Sequence, residues 1–392
     1  MNACPPPEKP VDIIRFDPAS ATAAELSAYV EVQLAASSVD QPQQRAFTAD
    51  WALASLTRRP SADQRRIHWI ARMPGTAQPV GVALLVLFGT ADSDLAAIDI
   101  TVLPDQRRRG MGTALLCELA MAAGRRNTLH IENIRAGTAA QAFAERHGFA
   151  VAQRTVQLSV DLALADRARW QVRAPAGYRL ERWTGAAPEH LLVSYAAARN
   201  AVMEAPHGDM SFTQPEWSPQ RIRDEEATTL ARNGELRVVT ALHQQTGEIA
   251  GLTYLVIYQD RPELADQQDT AVLAAHRGNG LGVWIKAANL QWLAADRPAV
   301  RRVRTSNAAE NEHMLRVNQQ VGFRAEATSE NREVRTADLA ARLATEAEPA
   351  PPRTRNGSPL TGRGDTSCDP APYIASKGAR SMQTPMKSPR LP

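Results

Sequence analysis

The chain has 392 residues, of which 44% are hydrophobic and 22% charged, and this length predicts two or three soluble domains. No segment reaches the roughly 18 apolar residues of a membrane span, so we expect a cytoplasmic protein with no membrane partner. The formal net charge of +3 arises after residue 345, where seven basic residues accompany four acidic ones. The remaining chain is neutral, which argues against a nucleic-acid partner. The three cysteines are too far apart to predict a metal site.

The predicted elements follow one order in the first part of the chain. An alanine-rich helical stretch at 21–56 precedes β-like runs at 68–72, 80–88 and 97–103. A glycine-rich turn then leads into an amphipathic helix, with apolar residues at Leu115, Leu116, Leu119 and Ala120. Another strand, a short helix and a final strand complete the unit, so helices and strands interleave as in a mixed α/β fold.

The same order returns in the second part. A helical stretch is predicted at 189–233, and β-like runs follow at 236–242, 249–258 and 269–273. The turn and the amphipathic helix come next, with apolar residues at Trp284, Ile285, Ala288 and Trp292. The sequence therefore predicts two copies of one mixed α/β fold.

Direct sequence repetition supports the two copies. Residues 99–112 read DITVLPDQRRRGMG and residues 269–282 read DTAVLAAHRGNGLG, at a constant offset of 170. Farther on, HGF at 147–149 matches VGF at 321–323. We therefore predict a first repeat at 12–160 and a second repeat at 175–336. The segment 346–392 contains nine prolines and little apolar periodicity, which predicts a disordered tail.

Both repeats contain Arg-x-x-Gly-x-Gly between a predicted strand and a helix. Glycines allow backbone N–H groups to approach a ligand closely, and the first turn of a helix favours a negative group, so a pyrophosphate is the natural ligand. The loop lacks the Lys-Ser or Lys-Thr of a nucleotide triphosphatase and the Gly-x-Gly-x-x-Gly spacing of a dinucleotide site. The alternative is a tight β–α turn with solvated arginines.

This motif resembles the signature of the GNAT (N-acetyltransferase) superfamily, Gln/Arg-x-x-Gly-x-Gly/Ala at the start of a long helix. The resemblance covers about 12–160 and 175–336, and it includes 301–323, which is similar to the region where such enzymes grip the pantetheine arm and which ends in Gly-Phe. The layout resembles that of actinobacterial tandem acetyltransferases.

The resemblance implies acetyl-CoA as co-substrate, no metal, and transfer of the acetyl group to an amine. It implies that the strand before the loop splays from its neighbour and binds the acetyl and pantetheine groups through its backbone, and that the loop holds the pyrophosphate. The implied cofactor-binding residues of the first repeat are Ile100, Thr101, Val102, Arg107, Arg108, Arg109, Gly110, Met111 and Gly112. Those of the second repeat are Thr270, Ala271, Val272, Arg277, Gly278, Asn279, Gly280, Leu281, Gly282, Asn307 and Asn311.

The catalytic positions implied by the resemblance are only partly filled. Where members of the family often have a Glu, the second repeat has Asp266 and the first has Ala96. Where members of the family have a Tyr, the second repeat has Asn318 and the first has Ala144. Neither side chain can act as an acid, so Asn318 occupies a predicted catalytic position without being able to supply the proton.

A second acidic position is shared by both repeats, as Asp99 and Asp269. Each is a candidate base, and a strand-edge charge or a cap is the alternative. Asp266 and Asp269 are three residues apart and would face opposite sides of a regular strand, so only one of them is a candidate. Asn311 has Gly137 as its counterpart and Asp266 has Ala96, so the second repeat has one more asparagine and one more acid. We therefore expect the chemistry there, and we expect Arg277→Ala rather than Arg107→Ala to abolish turnover.

A polar segment, MEAPHGDM at 203–210, lies between the helices that wall the acceptor site in this family. Its Glu204, His207 and Asp209 are candidate substrate-binding residues, because His titrates near neutrality and the acids could bind a cationic amine. The alternative is a loop whose polar residues are solvated.

The sequence thus predicts an acetyl-CoA dependent N-acetyltransferase of a small-molecule amine, with the chemistry in the second repeat. We expect a monomer or a homodimer. The alternatives are a protein or peptide N-acetyltransferase and a non-catalytic acyl-CoA sensor or scaffold.

Overall fold

The computed structural model describes residues 11–40, 48–57, 64–89, 94–204, 208–211 and 216–347. Their strands are β1 Asp12–Phe16, β2 Gln64–Arg72, β3 Pro79–Phe88, β4 Leu95–Val102, β5 Thr128–Arg135, β6 Ala150–Asp161, β7 Tyr178–Thr184, β8 Gly234–His243, β9 Ile249–Tyr258, β10 Leu264–Val272, β11 Arg302–Ala308 and β12 Arg324–Arg335. Their α-helices are α1 Ala23–Asp40, α2 Ala49–Leu56, α3 Met111–Ala123, α4 Ala139–Arg146, α5 Leu192–Asn200, α6 Pro219–Ala231, α7 Leu281–Asp296, α8 Glu312–Gln320 and α9 Thr336–Ala347.

Local sequence explains where several of these elements begin. α6 starts after Ser218, whose hydroxyl accepts a hydrogen bond from the Arg221 N–H, and Pro219 occupies the first turn. α3 and α7 instead follow Gly110 and Gly280, which are left-handed and provide no side-chain cap. The first-turn N–H groups of these two helices are therefore left for another partner.

The described strands form one twelve-stranded sheet in the order β1-β2-β3-β4-β5-β12-β6-β11-β10-β9-β8-β7. β1–β5 of the first repeat occupy one half and β7–β11 of the second repeat occupy the other. One long helix packs on each half of the sheet. Leu115, Leu116 and Leu119 of α3 are fully buried in the first half, and Ile285 and Leu290 of α7 are fully buried in the second. The predicted residues Leu115, Leu116, Leu119, Trp284 and Ile285 are buried, whereas the predicted Ala120, Ala288 and Trp292 are only partly buried.

The closing strand of each repeat lies in the other half of the sheet. β12 pairs with β5 of the first repeat, whereas β6 pairs with β11 of the second, and β12 and β6 pair with each other. α9 follows β12 and inserts Leu339 and Leu343 into the core of the first repeat. The ranges 12–160 and 175–336 therefore describe repeats along the chain and do not coincide with the two halves of the sheet.

The predicted tail begins inside a helix, since Glu346 and Ala347 are the last two residues of α9. The rest of 346–392, with its predicted disorder, lies outside the described residues.

Candidate functional site

The two Arg-x-x-Gly-x-Gly loops share one backbone conformation. In the first repeat Arg108 and Gly110 have φ of 64° and 81°, and in the second Gly278 and Gly280 have φ of 81° and 75°. A Cβ built on Gly278 or Gly280 would meet no heavy atom of the described residues within 4 Å. Open space next to uncapped helix N–H groups is the geometry that a phosphate requires.

The first arginine of each motif anchors the loop to the strand before it. Arg107 Nε donates to the Val102 carbonyl at 3.1 Å, and Arg277 Nε donates to the Val272 carbonyl at 3.2 Å. Arg107 also forms a bidentate ion pair with Asp40, with both distances 2.7 Å. These arginines position the loop backbone.

Both repeats have a gap between two parallel strands beside the loop. β4 pairs with β5 only from Leu95 to Ala97, and β10 pairs with β11 only from Leu264 to Asp266. Beyond these pairs the strands diverge. The predicted acetyl-binding backbones, 100–102 and 270–272, therefore border a gap and pair on their other side with β3 or β9.

A β-bulge distinguishes the second repeat from the first. Gln267 pairs with Leu255 and Thr270 with Thr253, so two residues of β10 stand opposite Tyr254 alone. β4 pairs with β3 without such a shift, and Asp99 lies opposite Leu84. β10 thus has one residue more than β4, and the additional residue lies next to Asp269.

The bulge corrects one predicted equivalence. Leu95 and Leu264 each begin the pairing with β5 or β11, so Asp266 corresponds in space to Ala97 and not to Ala96. The constant offset of 170 holds only after the bulge. Both Ala96, the equivalent by sequence offset, and Ala97, the equivalent by strand pairing, are alanines. The first repeat therefore has no acid at this position.

Asp266 is held by two arginines where β10 and β11 separate. Arg261 Nη2 lies 2.6 Å from one carboxylate oxygen and Arg304 Nε lies 2.5 Å from the other. The Asp266 side chain is 14% exposed. Because each oxygen already accepts a charge-assisted hydrogen bond, this carboxylate is better suited to fixing the strands than to taking a proton.

Asp269 lies at the bulge and remains accessible, with 31% of its side chain exposed. It accepts from Arg199 Nη2 at 3.1 Å, and Arg199 Nη1 contacts Glu225 at 2.9 Å. The guanidinium also stacks on Trp217, 3.8 Å from the ring centre. Burial raises the pKa of the Asp269 carboxyl, Arg199 opposes this, and the negative charge of Glu225 adds to it. Asp269 and Asp266 share none of their described arginine partners. The bulge lies between them, so the prediction of opposite faces, which holds for a regular strand, does not apply here.

The equivalent position of the first repeat has different surroundings. Asp99 is exposed, and Thr101 Oγ1 donates to it at 3.3 Å. None of the described ion pairs involves Asp99. The nearby Tyr29 hydroxyl is buried and lies 3.3 Å from His68 Nδ1. The two shared aspartates therefore do not have equivalent environments.

The three candidate asparagines connect elements of the second repeat. Asn311 is the N-cap of α8 and accepts from the Met314 N–H at 3.1 Å. Asn318 is fully buried, and its Nδ2 donates to Asn307 Oδ1 at 2.7 Å, which ties α8 to β11. Asn318 Oδ1 is buried and has no hydrogen-bond partner among the described residues.

The predicted acceptor segment is described only in part, because His207 and the Glu204 side chain lie outside the described residues. Asp209 is exposed, and its backbone N–H donates to Ala152 of β6 at 2.8 Å. Ser211 Oγ donates to Glu333 of β12 at 2.6 Å. The described end of this segment thus lies along the two exchanged strands.

Two buried basic residues were not predicted from the sequence. Lys286 on α7 is 1% exposed, and its counterpart six residues after the first-repeat Gly110 is Leu116. His130 on β5 lies 3.3 Å from both Glu132 and Glu333. The change from Leu to Lys on an apolar helix face is a signal that comparing the two repeats would have revealed. The contact with Glu333 depends on the exchanged strand and has no local signal.

The described residues contain no group of three or more His, Cys, Asp and Glu side chains that could hold a metal ion. Among the described helices, none is long and apolar enough to span a membrane.

Residues 64–151 match the family model for the acetyltransferase (GNAT) domain. No curated protein matches the sequence. Among solved structures, a tandem GNAT protein from the clavulanic acid biosynthesis pathway, determined without AcCoA, is 25% identical with a TM-score of 0.68. That similarity covers 83% of this chain and 99% of the other. A GCN5-related N-acetyltransferase from Sphaerobacter thermophilus is 16% identical with a TM-score of 0.62, over 84% of this chain and 97% of the other. The predicted fold, mixed α/β with two such units in tandem, is confirmed.

Proposed function

Since this chain contains a GNAT acetyltransferase domain and has the tandem GNAT layout, we propose that it transfers the acetyl group of acetyl-CoA to a primary amine of a small molecule, with the chemistry in the second repeat. The fold itself supports acyl transfer in general. The amine acceptor, its size and the choice of repeat belong to the proposal.

The observation that carries the choice of repeat is the bulge at Asp269. It presents a partly exposed carboxylate at the diverging edge of β10, whereas regular pairing in β4 leaves Asp99 without an arginine among the described ion pairs. The family-model match falls in the first repeat. That match concerns the shared fold, and we assign the first repeat a supporting role.

The proposed reaction assigns roles to four parts of the second repeat. The free N–H groups around Gly278–Gly282 hold the pyrophosphate, and the backbone of 270–272 orients the thioester. The acceptor nitrogen forms a bond to the acetyl carbon as the carbon–sulfur bond breaks, and Asp269 takes the proton that the amine loses. Arg199 keeps the Asp269 carboxylate in place.

Charge near Asp269 supports an amine acceptor. Asp269 and Glu225 face the single cation of Arg199, so the cluster retains one net negative charge. A negative site favours the approach of an ammonium group over that of an anionic acceptor. The flanking rings of Trp217 and Tyr254 give the cluster an apolar wall.

The test is release of coenzyme A thiol by the full chain in the presence of acetyl-CoA and a set of amines. The set contains small primary amines, such as tyramine and glucosamine, and lysine-containing peptides. We expect the small amines to be acetylated faster than the peptides. Faster acetylation of the peptides would support a protein acetyltransferase. Tight acetyl-CoA binding without any acetylated product would support a non-catalytic sensor.

A further inference from the structure

A continuous chain of polar side chains runs through the otherwise apolar contact between α7 and the sheet. Lys286 Nζ lies 3.2 Å from Thr270 Oγ1, which lies 2.8 Å from Thr253 Oγ1. Gln267 Nε2 donates to Thr253 Oγ1 at 2.9 Å. Thr253 and Lys286 are fully buried, whereas Thr270 is only partly buried and lies on the diverging part of β10. The chain therefore leads from the interior to a partly buried residue of β10 that lies beyond the last β10–β11 pair, at Asp266.

The first repeat has an apolar residue at every equivalent position. The register places Ile100 and Ala83 where the second repeat has Thr270 and Thr253, and the helix places Leu116 where it has Lys286. Ile98 lies opposite Leu85 as Gln267 lies opposite Leu255. The fold therefore forms without any of these polar groups.

Burying the lysine is unfavourable for stability. No carboxylate is among the described contacts of Lys286 Nζ, and an unpaired ammonium is costly to desolvate. Leucine at this position of the first repeat avoids that cost. The second repeat thus retains a destabilising group, which is common at functional sites.

Charged groups on the elements packed against α7 have other partners. α7 packs on β8, β9, β10, α8 and the 3₁₀ turn at Arg167–Trp170. The ion-paired groups on these elements and their partners are Arg237 with Glu235 and Asp296, Asp266 with Arg261 and Arg304, Asp269 with Arg199, Arg316 with Glu312, and Arg169 with Asp166. Tyr254 on β9 donates to Glu225, Tyr258 lies under Arg232, His243 contacts Thr246, and Arg167 and His313 are exposed. Burial is the cause that lowers the pKa of Lys286, to about 7, so that its amino group can exchange a proton near neutral pH.

The direction of the hydrogen bonds leaves one proton available. The Lys286 ammonium can only donate, so the Thr270 oxygen accepts from it. The Thr253 oxygen accepts from Gln267, and its own proton can therefore go to Thr270. Thr270 then accepts two hydrogen bonds and can donate its hydroxyl proton into the gap between β10 and β11.

We propose that Lys286 is a positioning residue that supplies, through the Thr270 hydroxyl, the proton taken up by the departing coenzyme A thiolate. As the carbon–sulfur bond breaks, sulfur takes the Thr270 proton and Thr270 takes one from Lys286. Lys286 regains a proton from solvent after product release, and the amine proton leaves through Asp269. The inference rests on the proposed function, and it fills the acid role that Asn318 and Ala144 cannot perform.

The test is the pH dependence of kcat for thiol release by the full chain, with acetyl-CoA and tyramine as the probe acceptor and the rate without protein subtracted. We expect a descending limb near pH 7 to 8 in the wild type. Lys286→Met and Thr270→Val should lose this limb and lower kcat at pH 6.5 by about a hundred-fold. Thr270→Ser, which keeps a hydroxyl, should retain the limb. The matched control is Leu116→Met in the first repeat, with kcat and profile unchanged.

A profile in Lys286→Met and Thr270→Val that matches the wild type, with kcat within two-fold, would overturn the role of Lys286 and leave the proposed function intact. Absence of thiol release by the wild type with every acceptor would overturn both. Because the first repeat folds with Leu116 at this position, we expect Lys286→Met to fold. Its thermal unfolding is recorded alongside to separate loss of structure from loss of the proton path.

Discussion

At the scale of single residues, the buried basic groups of the two repeats differ in their partners. Lys286 contacts a threonine hydroxyl and has no described ion pair, whereas His130 lies between Glu132 and Glu333. Burial lowers the pKa of Lys286 to about 7. Burial also opposes protonation of His130, but hydrogen bonds to the two glutamates raise the pKa of His130 to about 9. Lys286 of the second repeat is thus the proposed proton donor, whereas His130 of the first repeat is a stabilising cation.

We predict that His130 stabilises the protein at pH 7 and not at pH 10. Its folded pKa lies above its ordinary value of 6.5, so the stabilisation is complete below pH 6.5 and is lost as the pH rises through 9. His130→Gln should therefore lower the free energy of unfolding at pH 7 by about 2 to 3 kcal/mol more than at pH 10. Urea unfolding at both pH values measures this difference.

The control is His68→Gln, which alters a second buried histidine of the first repeat. Burial lowers the pKa of His68 to about 4, so His68 is neutral in the folded protein at both pH values. The effect of this variant should be the same at pH 7 and pH 10. An equal loss for His130→Gln at the two pH values would show that His130 is not a charged partner of the glutamates.

At the scale of elements, α9 connects the end of the described chain to the first repeat. Leu339 is fully buried in the core that α3 forms with β3 and β4. Leu339→Ala should lower the free energy of unfolding by about 2 to 5 kcal/mol, because it removes buried methyl groups and leaves a cavity. Urea unfolding measures the loss. Leu230→Ala, on a helix position that is 73% exposed, is the control and should cost less than about 0.5 kcal/mol. A similarly small loss for Leu339→Ala would contradict the docking of α9.

The sequence predicts most elements but not their assembly. The apolar run that forms β9 is predicted at its observed bounds, 249–258, because a buried strand needs no partner-specific pattern. The glycine loops are predicted because left-handed backbone requires particular residues. The exchange of β6 and β12 is not, since nothing in either strand's alternation identifies which neighbour it pairs with. The sequence does not reveal the bulge, because the similarity between the two repeats begins at Asp99 and Asp269, and the additional residue lies just before that point.

At the scale of the whole molecule, the exchange of closing strands makes the two repeats depend on each other. A chain divided after Leu164, which is 84% exposed, would yield a first piece without β12 and α9 and a second piece without β6. Each piece alone would expose an unpaired sheet edge and part of a core. We expect neither piece to unfold cooperatively alone, and the two to co-purify as one folded particle when expressed together.

The check is size-exclusion chromatography with thermal unfolding of each piece and of the pair. A second piece that unfolds cooperatively on its own would contradict the mutual dependence. Because the repeats depend on each other, the repeat that performs the acetyl transfer cannot be identified with isolated pieces. Residues must instead be changed in one repeat at a time within the intact chain.

The role of the second repeat is tested by comparing Asp269→Asn with Asp99→Asn in the full chain, measured as thiol release from acetyl-CoA with the same amine. Both changes remove one carboxylate at the shared position of a repeat and preserve side-chain size. We predict that Asp269→Asn lowers kcat by about a hundred-fold or more and that Asp99→Asn stays within two-fold of the wild type. The reverse result would place the chemistry in the first repeat and contradict the proposed role of Asp269.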